Sequence, residues 1–308
     1  MPDIEQFRML VRREGAERYR DLPWRRTRDP YGIWLSEVML QQTQVARVLT
    51  RWPEWLERFP TVESLAAAPT SEVLAAWQGM GYNRRALALK AAAEAVTRDR
   101  DGVFPQDADD LKALPGIGPA TAQGIRAFAF DLPGVYLETN VRAVMLHHLF
   151  PDVPGVPDRE LTPLVRATCP DAPGAARGEG VADAEPSPFA VPQDADDTPR
   201  SWYYAMLDYG AWLKRAVPNP SRRSSSYTRQ SRFEGSRRQK RAHIVRMLLD
   251  AQSAGAAGLT LEEVRDGVDG LERAAGRDAV PAETVSSILA DLVREGFARE
   301  ADGTWSIA

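Results

Sequence analysis

The sequence predicts an all-α domain followed by a small C-terminal module of three helices and a hairpin. Three observations predict it. Residues 1–168 are dense with helical periodicity and poor in strand signals. Glycine pairs at 79–81 and 116–118 punctuate that helical text where tight turns between helices belong. From about residue 242 the chain reads as three helices and a ribbon turning at Asp302-Gly303.

Taken in order, the first informative element is "IWLSEVMLQQTQVARV", residues 33–48. It reads as one helix whose stripe of Leu35, Val38, Met39, Val45, Ala46 and Leu49 suits a core. Its other side carries Glu37, Gln41 and Gln44 flanked by Ile33, Leu40 and Val48, so a lone acid sits on an oily helix. Residues 61–96 give several Ala-rich helices broken at Pro69 and at Gly79–Gly81. "DADDLKALPGIGPATAQGIRAFAF" gives a short helix, a glycine turn and a helix with Pro119 near its first position. Another helix is predicted from Thr139 to Phe150. Residues 170–200, rich in Pro, Ala, Gly and Asp with seven acids and two arginines, read as a disordered acidic insertion. An aromatic-rich helix, "SWYYAMLDYGAWLKRA", then closes a helical domain spanning 1–216. A basic segment (217–241) leads to a winged-helix-like module (242–308) whose third helix is not basic, which favours packing over base reading.

Composition narrows the function. The 308 residues, 44% hydrophobic and 27% charged, are those of an ordinary globular protein. The N-terminus lacks the apolar core of a signal peptide and no apolar run approaches a membrane span, so a cytoplasmic protein is expected. One cysteine, Cys169, and three histidines exclude a disulfide and argue against a Cys- or His-based metal site. The net charge of −4 hides an asymmetry: residues 214–241 hold ten Lys or Arg against one acid. Such a run suits either phosphate binding or a solvated linker.

Two signals carry chemistry. "LPGIGPATA" (114–122) places Gly116 and Gly118 before a helix N-terminus, aiming backbone N–H groups as phosphate-binding hairpins do, although plain turns between helices share this pattern. "WQGMGYNRRA" (77–86) repeats the logic with Tyr82 and two arginines. In "VYLETNVRAV", Glu138 precedes a helix that Thr139 or Asn140 would cap, a setting that lowers a carboxyl pKa. Glu37, on an apolar wall, sits in a setting that raises one. One protonated and one ionised carboxyl form the pair needed to cleave a glycosidic C–N bond. The bland alternatives are a capping acid at Glu138 and an ion pair of Glu37 with Arg142.

With "DPYGIWLSEVMLQQTQV", "GMGY", "LPGIGPATA" and "NVRAV", the chain from about Leu22 to Ala216 resembles the helix-hairpin-helix base-excision DNA glycosylases, within them the adenine glycosylase (MutY) branch. The resemblance implies a two-lobed domain that grips mismatched or damaged duplex DNA as a monomer and flips one base into the cleft between the lobes. It gives Glu37 the role of proton donor, places Gln41 and Gln42 by the vacated gap, and makes Tyr82 the wedge in the stack. Asn140, Gly116, Gly118, Arg222 and Arg223 complete the expected DNA-binding set, and nucleoid association follows. Relatives that also cut the strand carry a Lys where this chain has Ala120, so a monofunctional enzyme is expected. The branch's second acid is an Asp, here Glu138. The branch's four-iron cluster, with cysteines spaced C-x6-C-x2-C-x5-C, falls on Lys214, Ser221, Ser224 and Gln230, so no cofactor and no metal are expected. The basic segment would replace it, presenting arginines to phosphates and packing through Tyr227 and Phe233. A short module stands where the branch has a Nudix-like domain, which leaves the opposite base open. The expected substrate is adenine opposite 8-oxoguanine or guanine. Another mismatched or deaminated base, or DNA binding without catalysis, remains the alternative.

Overall fold

The computed structural model describes residues 3–172, 197–229 and 232–308. The acidic insertion expected over 170–200 therefore falls, for 173–196, outside the described residues, as does Gln230. The chain forms two compact units, Met1–Trp52 with Phe104–Arg229, and Pro53–Val103 with Gln230–Ala308. The helices of 62–100 thus cluster with the C-terminal residues, a division that does not follow chain order.

In the first unit, α1 (Ile4–Glu17) and α2 (Pro30–Leu40) precede the start of α3 (Val45–Arg58), whose residues from Pro53 on belong to the second unit. Asp29 caps α2 by accepting from Tyr31 N and Gly32 N, and Pro30 fills the first helical position. α2 buries nearly every side: Ile33, Trp34, Leu35, Val38 and Met39 are all core. The single helix expected over 33–48 is broken at 41–44. Gln42 adopts a left-handed φ of 55°, which no helix interior accommodates. The break resets the helical phase, so Val48 is core while Ala46 and Leu49, expected inside, are exposed.

After α4 (Val62–Ala67), α5 (Thr70–Ala76) and α6 (Arg84–Arg100), which belong to the second unit, the chain returns with α7 (Ala108–Lys112) and α8 (Pro119–Phe130). α9 (Thr139–Leu149), α10 (Asp158–Thr168) and α11 (Pro199–Ala216) complete the first unit's helices. α8 packs on α2, and α11 packs along both α9 and α1. Asp208 of α11 is buried and neutralised by Arg25 at 2.6 and 2.8 Å and by Arg20 at 2.5 Å. The buried Asp208–Arg25 pair holds because each carboxylate oxygen is bonded, with the half-buried Arg20 adding a further donor.

The second unit packs Trp55 edge-on to Trp77 at 5.5 Å beside α4, α5 and α6. Its C-terminal part consists of α12 (Arg237–Ser253), β1 (Leu259–Thr260), α13 (Leu261–Ala274), α14 (Ala282–Arg294), β2 (Ala298–Ala301) and β3 (Thr304–Ile307). The predicted ribbon turns with Asp302 at φ 51° and Gly303 at φ 72°, the left-handed pair of a type I′ turn. A short third strand that sequence reading missed, β1, pairs antiparallel with β3 in the order β1-β3-β2. α12 begins at Arg237, five residues before the expected boundary, because Ser236 caps it by accepting from Gln239 N. Two residues of strand are too few for a period to show, and a polar cap hides inside a basic run.

Candidate active site

The site grows from α2. Its one acid, Glu37, keeps only slight solvent exposure and meets α8 where that helix has Gly124. A Cβ on Gly124 would collide with Glu37 Oε2, so the glycine makes room for the carboxyl. Tyr136 donates its hydroxyl to the same oxygen at 3.0 Å. Tyr136 is itself fixed: its ring lies edge-on to Phe128 and Tyr203 at 5.2 and 5.3 Å, and its N–H donates to the Tyr203 hydroxyl at 3.2 Å. Burial raises the Tyr136 phenol well above its usual value, so it stays a donor. Burial likewise raises Glu37, to about 8, only partly countered by the Tyr136 hydrogen bond and reinforced by the charge of Glu138. Arg142, the alternative partner for Glu37, is bound instead to Asp158 at 2.8 and 3.1 Å. At neutral pH Glu37 is therefore protonated.

Glu138 is itself the N-cap of α9, a role expected of Thr139 or Asn140. It accepts from Asn140 N at 2.5 Å, Val141 N at 3.0 Å and Asn140 Nδ2 at 3.3 Å. The lowered pKa expected there is not observed. Burial outweighs these donors and the nearby charge of Lys214, and the carboxyl lies above its ordinary value. The two acids differ in what surrounds their charge. Three N–H donors and a cation stabilise that of Glu138, whereas Glu37 has one phenol.

The start of α9 is boxed in. A Cβ on Gly210 of α11 would strike the Asn140 carbonyl, so only glycine lets the two helices approach this closely. From the other side a 3-10 turn, Pro220–Arg223, delivers Ser221, whose Oγ donates to Thr139 O at 3.2 Å. Ser221 and Ser224 are buried, and Arg223 donates to Leu146 O at 2.7 Å. Arg223 is thus committed to α9, whereas Arg222 is exposed. Tyr227 and Phe233, expected to pack the segment down, are exposed at 43% and 49%. Small serines and a backbone-bound arginine do that work.

The positions matching the family's cluster cysteines do not fit iron. Lys214 is a cation, Ser221 and Ser224 are hydroxyls bonded into the fold, and Gln230 lies outside the described residues. None supplies a thiolate.

Of the remaining predicted residues, Gln41 ends α2 and donates its side-chain amide to Thr121 Oγ1 at 3.0 Å, while Gln42 is exposed beside it. Gly116 takes a left-handed φ of 74° and Gly118 caps α8 without any side-chain bond, leaving the hairpin's tip open. Glu37, Gln41, Glu138, Asn140, Gly116 and Gly118 thus belong to the first unit, and Tyr82 to the second. Sequence reasoning missed Tyr136, Thr121, Gly124 and the nearness of Lys214 to Glu138. Tyr136 alone left a signal: two residues before Glu138 in an extended stretch, it shares that residue's side.

A helical domain with a glycine hairpin ahead of a helix, and a protonated and a cap-bound carboxyl in one site, defines a DNA-acting helix-hairpin-helix protein. A family model described as HhH-GPD superfamily base excision DNA repair protein matches residues 35–159. The adenine DNA glycosylase of Mycobacterium tuberculosis (strain ATCC 25618 / H37Rv) is 34% identical over 303 residues, covering 94% of this chain and 89% of that relative. The adenine DNA glycosylase of Mycolicibacterium smegmatis is 46% identical over 127 residues, 41% of this chain and 43% of that protein. Among solved structures a thermostable thymine-DNA glycosylase has the same fold, with a TM-score of 0.53 at 21% identity over 67% of this chain and 87% of that one. The chain belongs to the HhH-GPD superfamily of base excision DNA repair proteins. It is a DNA glycosylase, and DNA is its partner. Among the described residues no helix is long and apolar enough to cross a membrane.

Proposed function

We propose that this chain hydrolyses the N-glycosidic bond of adenine mispaired with 8-oxoguanine or guanine, as a monofunctional, cluster-free monomer on nucleoid DNA in the cytoplasm. The observation that carries it is the acid pair: Glu37 held neutral by burial under Tyr136, and Glu138 bound by three N–H groups. Glu37 delivers its proton to the departing base, so the leaving group departs neutral. The Glu138 carboxylate stabilises the positive charge that grows on the sugar. Water then adds to C1′, and its proton returns to a carboxylate. Ala120, with no amine, supports hydrolysis over Schiff-base cleavage. Adenine is supported by the adenine glycosylases to which the chain is similar. Tyr82, exposed at 37% and held at φ 49°, is the side chain that enters the base stack.

The test is a panel of duplexes carrying each mismatch and common lesions, incubated with protein and then treated with alkali. Breaks confined to the adenine strand opposite 8-oxoguanine or guanine, and appearing only after alkali, are expected from a colourless preparation. Breaks at a pyrimidine or a deaminated purine would reassign the substrate.

A further inference from the structure

Within the second unit, the hairpin between α5 and α6 is built as a rigid pedestal. Gly79 and Gly81 take φ of 83° and 70°, and Tyr82 follows in the same left-handed region at 49°, an uncommon conformation for a side chain branched at an aromatic ring. Trp77 Nε1 and Arg85 Nη2 both donate to Gly81 O, at 3.0 and 2.9 Å, and Arg85 Nη2 also reaches Met80 O at 2.9 Å. The backbone is tied from beneath while the Tyr82 ring stands outward.

A residue more than 150 positions along the chain meets that ring. Arg238, in the first turn of α12, donates from Nη1 to the Tyr82 hydroxyl, and its guanidinium carbon lies 5.2 Å from the ring centroid. Arg85 approaches the same ring at 5.7 Å, and Phe233 lies 5.9 Å from the Arg238 guanidinium. The first turn of α12 is anchored on either side. Arg237 pairs with Asp291 at 2.5 Å and with Ser287 Oγ at 3.0 Å. Glu295, following α14, is gripped by Arg241 and by Arg84 of the pedestal itself at 2.5 and 2.7 Å. Acids of α14 thus fix the helix that carries Arg238, and fix it to the hairpin that carries Tyr82.

We propose that Arg238 is a positioning residue that holds the Tyr82 ring in the orientation in which it enters DNA, and that setting this ring is a function of the C-terminal module. The proposal rests on the reading of Tyr82 as the inserted side chain. A ring clamped by a guanidinium on its hydroxyl and face loses little rotational freedom on insertion, and preorganisation of that kind converts directly into rate. Arginine is required, since lysine keeps the charge but offers no planar fork.

Two readouts test it in the full-length protein. With 3-fluorotyrosine at position 82 alone, Arg238→Ala and Arg238→Lys shift or sharpen the fluorine resonance in the absence of DNA. In single-turnover excision, Arg238→Ala lowers the rate roughly tenfold, about 1.4 kcal/mol. In the Tyr82→Ala background the same change has an effect of about twofold or less, because the two residues act as one unit. Equal losses in both backgrounds would overturn the proposal by showing that Arg238 acts alone, as a phosphate contact does. An unchanged fluorine resonance would overturn it whatever the activity. A shifted resonance in a protein that excises nothing would instead sink the functional reading and leave the contact standing.

Discussion

At the scale of residues, the proposed catalysis turns on how two glutamates are held in different surroundings. Glu37 is desolvated and touches one neutral donor, while Glu138 is desolvated but wrapped by amides and lies near Lys214. In the proposed mechanism the acid form of Glu37 and the ionised form of Glu138 work together, so excision should fall as pH rises through about 8 and fall again on the acid side as Glu138 takes up a proton. Tyr136 stabilises the ionised form of Glu37, and removing it raises the pKa further. Tyr136→Phe should therefore move the alkaline limb to higher pH, which a single-turnover pH profile measures; a limb moving down would refute the assignment. Glu37 was legible in the sequence because a lone acid on an apolar helix has few innocent explanations. Tyr136 and Gly124 were not, because their importance lies in where α2, α8 and the 131–138 segment meet. The net pKa of Glu138 differs from the expectation for a related reason: the helix start beside it was visible in the sequence, its burial was not.

At the scale of elements, glycine turns stand where the sequence places them, whereas helix caps and helix continuity do not. The 114–118 and 79–81 turns and the 302–303 ribbon stand where local chemistry puts them, since left-handed backbone selects glycine, Asn and Asp. The helix expected to run unbroken from 33 to 48 stops because Gln42, a residue with no such preference, takes the left-handed conformation. The 3-10 turn at 220–223 was readable only as a basic segment, yet it supports α9 beneath Glu138 through Ser221. Ser221→Ala removes this part-buried donor to the Thr139 carbonyl and should cost about 1 kcal/mol, seen as a lower denaturation midpoint with unchanged m-value. An unchanged midpoint would mean that the turn merely covers the helix.

At the scale of the molecule, charge is distributed less simply than the basic run suggests. Arg237, Lys240 and Arg241 are paired with Asp291, Glu272 and Glu295, so part of the positive segment is consumed by the acidic C-terminal residues. That pairing explains how a chain of net charge −4 can hold a local excess of cations without presenting all of them to DNA. It was invisible in the sequence because 54 positions separate Arg237 from Asp291 and Arg241 from Glu295. The central claim is that one buried, protonated carboxyl drives base release. The most direct measurement is single-turnover excision of adenine opposite 8-oxoguanine by Glu37→Gln, with DNA affinity measured on the same preparation. Binding should persist while the rate drops by roughly 10²–10⁴-fold, the share a general acid supplies. Excision at the unaltered rate by Glu37→Gln would contradict the account.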